Sequence, residues 1–246
     1  MTAPIVFIHG YPDTHRLWDP IRSHLQGYDT VALDFPGYGG AARPEGYTGT
    51  RWEMAEWLTA ELAKFDEPVH LVAHDVGGMI AHSVLINNPE LLKSWTITST
   101  CEPEWTWHAD ARVWQTTKLG EEARDQYLAY PHEHKIIGLG MAGVPEYHAP
   151  VTAEFYDKEM FDCGLAFYRS SVSIADWWPA ADLELPPGLV IWGNHDRYQG
   201  PGVGVKLAAR TGSRFVALNS DHWWPLEQPQ EGAAELVRHW TEVEKA

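Results

Sequence analysis

The pattern around Asp75 constrains the fold more than any other part of the chain. Val69–Val72 is apolar and β-branched and predicts a buried strand, whereas Met79–Ile86 has the apolar spacing of a helix. Asp75 lies between them and is followed closely by two glycines, which allow the helix to approach the strand. We therefore expect Asp75 at the exposed tip of a sharp turn. The alternative is an ordinary loop in which Asp75 caps the helix.

Strands and helices alternate in two blocks that are separated by a helical, aromatic-rich stretch. The remaining predicted strands are Ile5–Ile8, Thr30–Leu33, Ser94–Thr98, Leu189–Trp192 and Phe215–Leu218. The remaining predicted helices are Arg16–Leu25, Trp52–Phe65, Val205–Arg210 and Gln230–Glu244. The alternation predicts an α/β fold with a mostly parallel sheet, formed by residues 1–100 and 183–246. Residues 101–182 are predicted to form a helical cap over the edge of the sheet where such folds bind ligands.

Composition narrows the classes of function. Eighteen basic and 34 acidic residues give a formal charge of −16, which disfavours nucleic acids and anionic membranes as partners. No stretch is long and apolar enough to span a membrane, no signal segment is visible, and two cysteines fit a reducing cytosol. We expect a cytoplasmic monomer or homodimer with a small-molecule substrate. His132 and His134 alternate within a helical region, which does not place both rings on one face, so no metal site is predicted. No cofactor is expected either.

Two further acid–base residues follow predicted strands. Asp196 lies on the loop after Leu189–Trp192, and His222 lies on the loop after Phe215–Leu218. Asp176 and Asp182 are weaker candidates for the acid because neither follows a convincing strand. The chain order of Asp75, acid and histidine is the order of nucleophile, acid and histidine in α/β-hydrolases.

Several motifs resemble one branch of that superfamily, the epoxide hydrolases and haloalkane dehalogenases. His9-Gly10-Tyr11-Pro12 is similar to their oxyanion motif, residues 34–39 are similar to the loop that follows it, and His222 with Gln228-Pro229 is similar to their histidine loop. The resemblance runs from residue 4 almost to the end and implies an α/β-hydrolase fold, with a shortened N-terminal edge because the chain begins almost at Ile5. It also implies an oxyanion hole made by the N–H groups of Tyr11 and Val76.

A carboxylate nucleophile indicates a particular kind of substrate. A serine that attacked a saturated carbon would form an ether, which water does not readily cleave. Asp75 would form an ester, which His222, oriented by Asp196, and the oxyanion hole can hydrolyse. The substrate is therefore expected to carry an electrophilic sp³ carbon with an oxygen or halide leaving group.

The leaving group separates the branches of the family. Haloalkane dehalogenases usually have Trp directly after the nucleophile, and haloacetate dehalogenases usually have Arg there and one turn later. This chain has Val76 and Met79. Epoxide hydrolases use two cap donors, commonly tyrosines, to protonate the opening ring. The resemblance implies Tyr168, in a Tyr-Arg segment, as one donor, with Tyr127 as the choice for the second and Tyr130 or His108 as alternatives.

The sequence therefore predicts an epoxide hydrolase acting on an apolar or aromatic substrate. Thirteen tryptophans are present; most are expected in the core and a few in the substrate cavity. The residues predicted to contact substrate are His74, Trp105, Tyr130, Trp178 and Trp223. The rival predictions are a cofactor-free dioxygenase or lyase with His222 as base, a dehalogenase, and a non-catalytic ligand-binding protein.

Overall fold

A computed structural model of the protein describes residues 2–101, 107–173 and 183–246. Within them, six parallel strands form one sheet in the order β2-β1-β3-β4-β5-β6. The strands are β1 (Ile5–Ile8), β2 (Thr30–Leu33), β3 (Val69–His74), β4 (Leu92–Thr98), β5 (Gly188–Gly193) and β6 (Arg214–Leu218). The predicted α/β class and parallel sheet are confirmed, and each predicted strand is present with ends shifted by at most two residues.

Helices flank the sheet. The helices outside the stretch between β4 and β5 are α1 (Asp19–Arg22), α2 (Arg51–Leu62), α3 (Val76–Asn87), α9 (Pro201–Thr211), α10 (Trp224–Glu227) and α11 (Pro229–Lys245). Between β4 and β5 lie α4 (Ala109–Gln115), α5 (Leu119–Ala129), α6 (His132–Ala142), α7 (Ala149–Phe155) and α8 (Lys158–Ser170). None of the helices in the described ranges combines the length and apolar character that a membrane crossing needs.

Burial explains why the short apolar runs became central strands. Every residue of β1 and β3 is buried, as expected for parallel strands covered by helices on both faces. Five tryptophans are almost fully buried in the core: Trp18, Trp95, Trp192, Trp224 and Trp240. The expectation that most tryptophans serve packing therefore holds for these five.

We call residues 109–170, which carry α4–α8, the helical segment. Its last helix, α8, packs against α2, α4 and α5, and α6 packs against α7. Gly164 of α8 lies against the ring of Tyr11, close enough that a Cβ atom there would lie 2.3 Å from a ring carbon. The segment thus contacts the loop after β1 directly. Its separation from the sheet as a distinct cap domain remains a prediction.

The start of α3 is held against β1. A Cβ atom on Gly77 would lie 2.3 Å from the carbonyl oxygen of His9, so only glycine fits without a backbone shift. This contact fixes the turn that carries Asp75 relative to the loop that carries Tyr11.

We predict that Gly77→Ala destabilises the protein by about 2 kcal/mol or more, because the new methyl group meets a backbone carbonyl that cannot rotate away. The measurement is the free energy of unfolding in urea. Gly140→Ala is the matched control, since Gly140 is an exposed helical glycine with nothing within 4 Å of its added Cβ. The control should stabilise by about 0.5–1 kcal/mol through helix propensity. Equal effects of the two substitutions would contradict the close contact.

Candidate active site

Asp75 occupies the turn between β3 and α3. Its backbone angles are φ 52° and ψ −120°, a conformation that residues other than glycine rarely adopt. Its side chain makes no capping hydrogen bond to α3, although the residue stands at the N-cap position. The alternative in which Asp75 simply caps the helix is therefore not what the structure shows. The strained turn points the carboxylate toward the loop after β1.

The carboxylate of Asp75 is held by backbone N–H groups. The N–H of Tyr11 donates to Oδ1 at 2.9 Å, and the N–H of Val76 also stabilises the charge. Gly10 makes room for this arrangement, since a Cβ atom there would lie 2.3 Å from Oδ1. The two N–H groups predicted to form an oxyanion hole thus both stabilise the carboxylate of Asp75 itself.

His222 and Asp196 complete the group. The Nδ1 atom of His222 lies 3.1 Å from both carboxylate oxygens of Asp196, and Nε2 lies 3.7 Å from Oδ2 of Asp75. Asp196 also accepts hydrogen bonds from the backbone N–H groups of Tyr198 and Gln199, each at 2.9 Å. Nδ1 therefore donates to Asp196, and Nε2 faces Asp75. The structure brings together the three residues that the chain order singled out.

Burial sets the ionisation of this group. Desolvation raises the pKa of the Asp75 carboxyl, opposed by the positive charge of His222 and by the backbone N–H groups. Burial alone would lower the pKa of His222, but Asp196 first and then Asp75 and Asp13 raise it to about 9. Burial favours the neutral form of Asp196 too, yet the charge and hydrogen bond of His222 lower its pKa. With its pKa raised to about 9, His222 therefore carries a positive charge at pH 7.

Neighbouring residues fix the histidine loop. Arg197 donates to Asp221 at 2.7 Å, which ties the loop after β5 to the loop after β6. His74 is fully buried, and its Nε2–H donates to the carbonyl oxygen of His222 at 3.0 Å. Burial lowers the pKa of His74 to about 3, so its ring is neutral.

A cavity of about 330 Å³ opens next to Asp75 and His222. Aromatic side chains dominate its wall, from the sheet loops and the helical segment alike: Tyr11, Trp107, Trp114, Tyr127, Tyr156, Phe161, Tyr168, Tyr198 and Trp223. The carboxylates that line it are Asp75 and, at an exposed position, Asp110. Among the described residues that line this cavity, none is lysine or arginine. The described wall is therefore mostly apolar, as is usual for cavities that bind small molecules.

The predicted substrate contacts and proton donors divide into three groups. Tyr168, Tyr127 and Trp223 line the cavity. His74 and Tyr130 do not, and their prediction is corrected. His74 lies buried beneath His222, because β3 directs it to the core. Tyr130 is 43% exposed and bonds to Gln126, because it lies at the C-terminal end of α5.

The third group lies outside the described residues. It comprises Trp105 and Trp178, together with the alternative acids Asp176 and Asp182. Within the described ranges, no three His, Cys, Asp or Glu side chains come together in an arrangement able to hold a metal ion.

Sequence reasoning missed Asp13, a buried carboxyl beside the group. Its Oδ2 accepts a hydrogen bond from the indole N–H of Trp223 at 2.8 Å, and its Oδ1 has no hydrogen-bond partner in the described part of the chain. Burial raises the pKa of Asp13 to about 7, opposed by the hydrogen bond from Trp223. Its position directly after the His9–Pro12 motif was a usable signal, but its burial depends on contacts that are distant in sequence.

Sequence reasoning also missed Tyr156. Its hydroxyl lies 2.5 Å from the hydroxyl of Tyr11, so a residue of the helical segment is hydrogen-bonded to the loop after β1. Both rings line the cavity. No sequence spacing relates two residues that lie 145 positions apart.

Comparison with known proteins agrees with this geometry. The family model described as alpha/beta hydrolase fold matches residues 3–229. Epoxide hydrolase 3 of Xenopus tropicalis is 21% identical over 92% of this chain and 68% of its own length. The uncharacterized carboxylesterase nap of Bacillus subtilis (strain 168) is 33% identical over 44% of this chain, and the match spans only 36% of that relative.

Among solved structures, the ancestral haloalkane dehalogenase AncHLD2 superposes with a TM-score of 0.83 at 19% identity, covering 100% of this chain and 93% of its own. At this identity the likeness concerns the fold. The family model covers most of the sequence, and the chain belongs to the alpha/beta hydrolase fold family. The fold implied by the sequence motifs is confirmed, and the protein is a hydrolase-fold enzyme.

The raised pKa of Asp13 predicts a pH-dependent effect of Asp13→Asn. In the unfolded chain this carboxyl ionises near 3.8, whereas in the folded protein it keeps its proton until about pH 7. Between these two pH values the carboxyl of Asp13 holds more of its proton in the folded state than in the unfolded state. The contribution of Asp13 to the stability of wild type therefore falls as pH rises. The variant removes this cost and can still accept the hydrogen bond from Trp223. The free energy of unfolding of Asp13→Asn, relative to that of wild type, should therefore rise by up to about 4 kcal/mol between pH 4 and pH 8.

Urea unfolding of both proteins at the two pH values measures this difference. A stability difference that is the same at pH 4 and pH 8 would show that Asp13 ionises normally in the folded protein.

Proposed function

We propose that the protein is an epoxide hydrolase that acts through an ester on Asp75. One observation carries the proposal: the N–H of Tyr11 donates to Oδ1 of Asp75, while Oδ2 faces His222 and lies beside the cavity. Oδ2 is thus available as the attacking atom. Oδ1 already occupies the position in which negative charge would develop when water later attacks the Asp75 carboxyl carbon.

In the first step, Oδ2 attacks a carbon of the epoxide and the ring C–O bond breaks. The electron pair goes to the epoxide oxygen, which takes a proton from the hydroxyl of Tyr168. Tyr168 is buried, lines the cavity, and keeps its proton at neutral pH because burial and the charge of Asp75 raise its pKa. The neighbouring Arg169 forms two 2.8 Å hydrogen bonds to Glu121, which fixes the end of α8 that carries Tyr168.

In the second step, water attacks the carboxyl carbon of the ester. Alkylation removes the negative charge of Asp75, so the pKa of His222 falls and the imidazolium releases its proton to solvent. The neutral ring then accepts a proton from the attacking water. The charge that forms on Oδ1 meets the N–H of Tyr11, and the N–H of Val76 adds to the stabilisation of the carboxyl group. The bond between the carboxyl carbon and Oδ2 then breaks, Oδ2 takes the proton that His222 accepted from water, and the diol leaves with Oδ2.

The same geometry disfavours the lyase or dioxygenase alternative. In such a reaction His222 would act on the substrate directly, and an oxyanion hole would bind an oxygen of the substrate. Here the N–H of Tyr11 is engaged by Asp75. The substrate oxygen would have to displace a carboxylate held by a charge-assisted hydrogen bond.

Dehalogenation has less support from the residues around the cavity. The position after Asp75 is Val76, which offers no side-chain donor to a halide. The indole N–H groups of Trp107 and Trp223 donate to the Ser171 carbonyl at 3.1 Å and to Asp13 at 2.8 Å. The absence of lysine and arginine among the described lining residues also disfavours a haloacid. The epoxide hydrolase of Xenopus tropicalis among the relatives supports the same choice.

His222→Gln should accumulate the ester, because Asp75 needs no base to attack but water does. Incubation with styrene oxide should increase the intact protein mass by one substrate, and peptide mapping should locate the adduct on Asp75. Asp75→Asn/His222→Gln is the matched control and should show no adduct. If wild type converts the epoxide while His222→Gln gives neither adduct nor product, the two-step mechanism is rejected.

The source of the diol oxygen tests the same mechanism in wild type. In a single turnover in H₂¹⁸O, the new diol oxygen should be ¹⁶O from Oδ2, and ¹⁸O should enter Asp75. Incorporation of ¹⁸O into the diol in the first turnover would instead mean direct attack by water.

Tyr168→Phe should slow alkylation of Asp75 by about 10- to 100-fold if a second donor remains, with little change in melting temperature. Stopped-flow measurement of the first step in the His222→Gln background isolates this effect. An unchanged alkylation rate would leave Tyr168 with a packing role alone.

A further inference from the structure

We propose that His108, and not Tyr127, donates the second hydrogen bond to the epoxide oxygen beside Tyr168. This inference rests on the proposed function and corrects the choice of Tyr127 that the sequence suggested. It follows from the way α4 holds the imidazole ring.

The tautomer of His108 is set by the start of α4. His108 is the N-cap residue, and its Nδ1 accepts a hydrogen bond from the backbone N–H of Ala111 at 3.3 Å. A ring nitrogen that accepts carries no proton, so in the neutral ring the proton is on Nε2. Burial lowers the pKa of His108, opposed by Asp110 and Asp75, and the ring is therefore neutral at pH 7. The helix cap thus makes Nε2 a fixed donor.

The ring of His108 lies in the cavity wall next to Tyr168. The two ring centroids are 6.3 Å apart, and Trp114 and Tyr198 hold the His108 ring at 5.7 and 5.5 Å. Nε2 forms no hydrogen bond with any described residue and is not fully buried, so a ligand can reach it. The charge of Asp75 acts on both His108 and Tyr168. Two donors therefore stand side by side within electrostatic reach of the nucleophile.

Tyr127 is placed differently. Its ring lies against Tyr156, with centroids 4.3 Å apart, and the ammonium group of Lys135 lies 5.2 Å from its centroid. Burial alone raises its pKa, with no contribution from Asp75. Its hydroxyl is buried without a hydrogen-bond partner among the described residues. Tyr127 therefore forms part of the cavity wall with its hydroxyl enclosed by the protein.

The two donors have unequal chemical roles. When the ring C–O bond breaks, the Tyr168 proton moves to the epoxide oxygen, and the phenolate later regains a proton from solvent. A neutral imidazole is a very weak acid, so His108 keeps its Nε2 proton and stabilises the developing charge by a hydrogen bond.

Three single variants in the His222→Gln background separate these roles, with alkylation by styrene oxide as the measured step. His108→Ser keeps a side-chain oxygen for the N-cap but loses the donor that reaches the cavity. His108→Asn keeps an acceptor for Ala111 and an N–H donor. Tyr127→Phe removes only the hydroxyl. We expect a rate loss of about tenfold or more for Ser, a loss within about threefold for Asn, and about the parent rate for Phe.

The saturating rate constant should fall in His108→Ser, while the substrate concentration at half-saturation changes little, because the bond forms mainly as charge develops. A role in capping alone would lower the melting temperature and leave the alkylation rate unchanged. A parent-like rate in His108→Ser, or a large loss in Tyr127→Phe, would overturn the assignment. If the His222→Gln parent forms no adduct at all, the proposed function itself fails, and the two failures are distinguishable.

Discussion

The hydrogen bond from the Tyr11 N–H to Oδ1 of Asp75 is the interaction on which the site depends. It joins the carboxyl ends of two adjacent parallel strands, β1 and β3, and it requires glycine at both Gly10 and Gly77. Because the bond engages one carboxylate oxygen, the other is left to face His222 and the cavity. The positive φ of Asp75 is the conformational cost of this orientation, and the packed turn around it holds that conformation in place.

Desolvation makes the charges around Asp75 depend on one another. Asp196 and Asp75 raise the pKa of His222 to about 9, and Asp13, which accepts the indole N–H of Trp223, adds to the effect. Burial alone would push each of these groups toward its neutral form. In the proposed mechanism, alkylation of Asp75 removes one of the charges that keep His222 protonated, so the first chemical step prepares the base that the second step needs.

The helical segment supplies what the sheet cannot. The sheet loops provide the proposed nucleophile, a histidine and backbone donors, whereas Tyr168 and Trp114 come from the helical segment and His108 directly precedes it. Its contacts with the sheet loops, such as the pair of hydroxyls of Tyr11 and Tyr156, join it to the wall of the cavity beside Asp75. The aromatic wall, which has no lysine or arginine in its described part, is consistent with the proposed uncharged substrate. The hydrogen bond at the start of α4 orients His108, the proposed second donor.

The sequence by itself determined the strands, the order of the fold and the positions of Asp75, Asp196 and His222. Apolar runs and loop motifs are local, and each of these residues directly follows a predicted strand or lies one loop beyond it. It did not determine which side chains face the cavity: His74 and Tyr130 were predicted to do so and do not, while Asp13 and Tyr156 were missed. Whether a side chain faces the cavity depends on which helix, distant in sequence, packs over it. Its burial, its hydrogen-bond partners and its pKa all follow from that packing. Only the tertiary structure decided them, because the helical segment folds over the sheet through contacts that have no signature in local spacing.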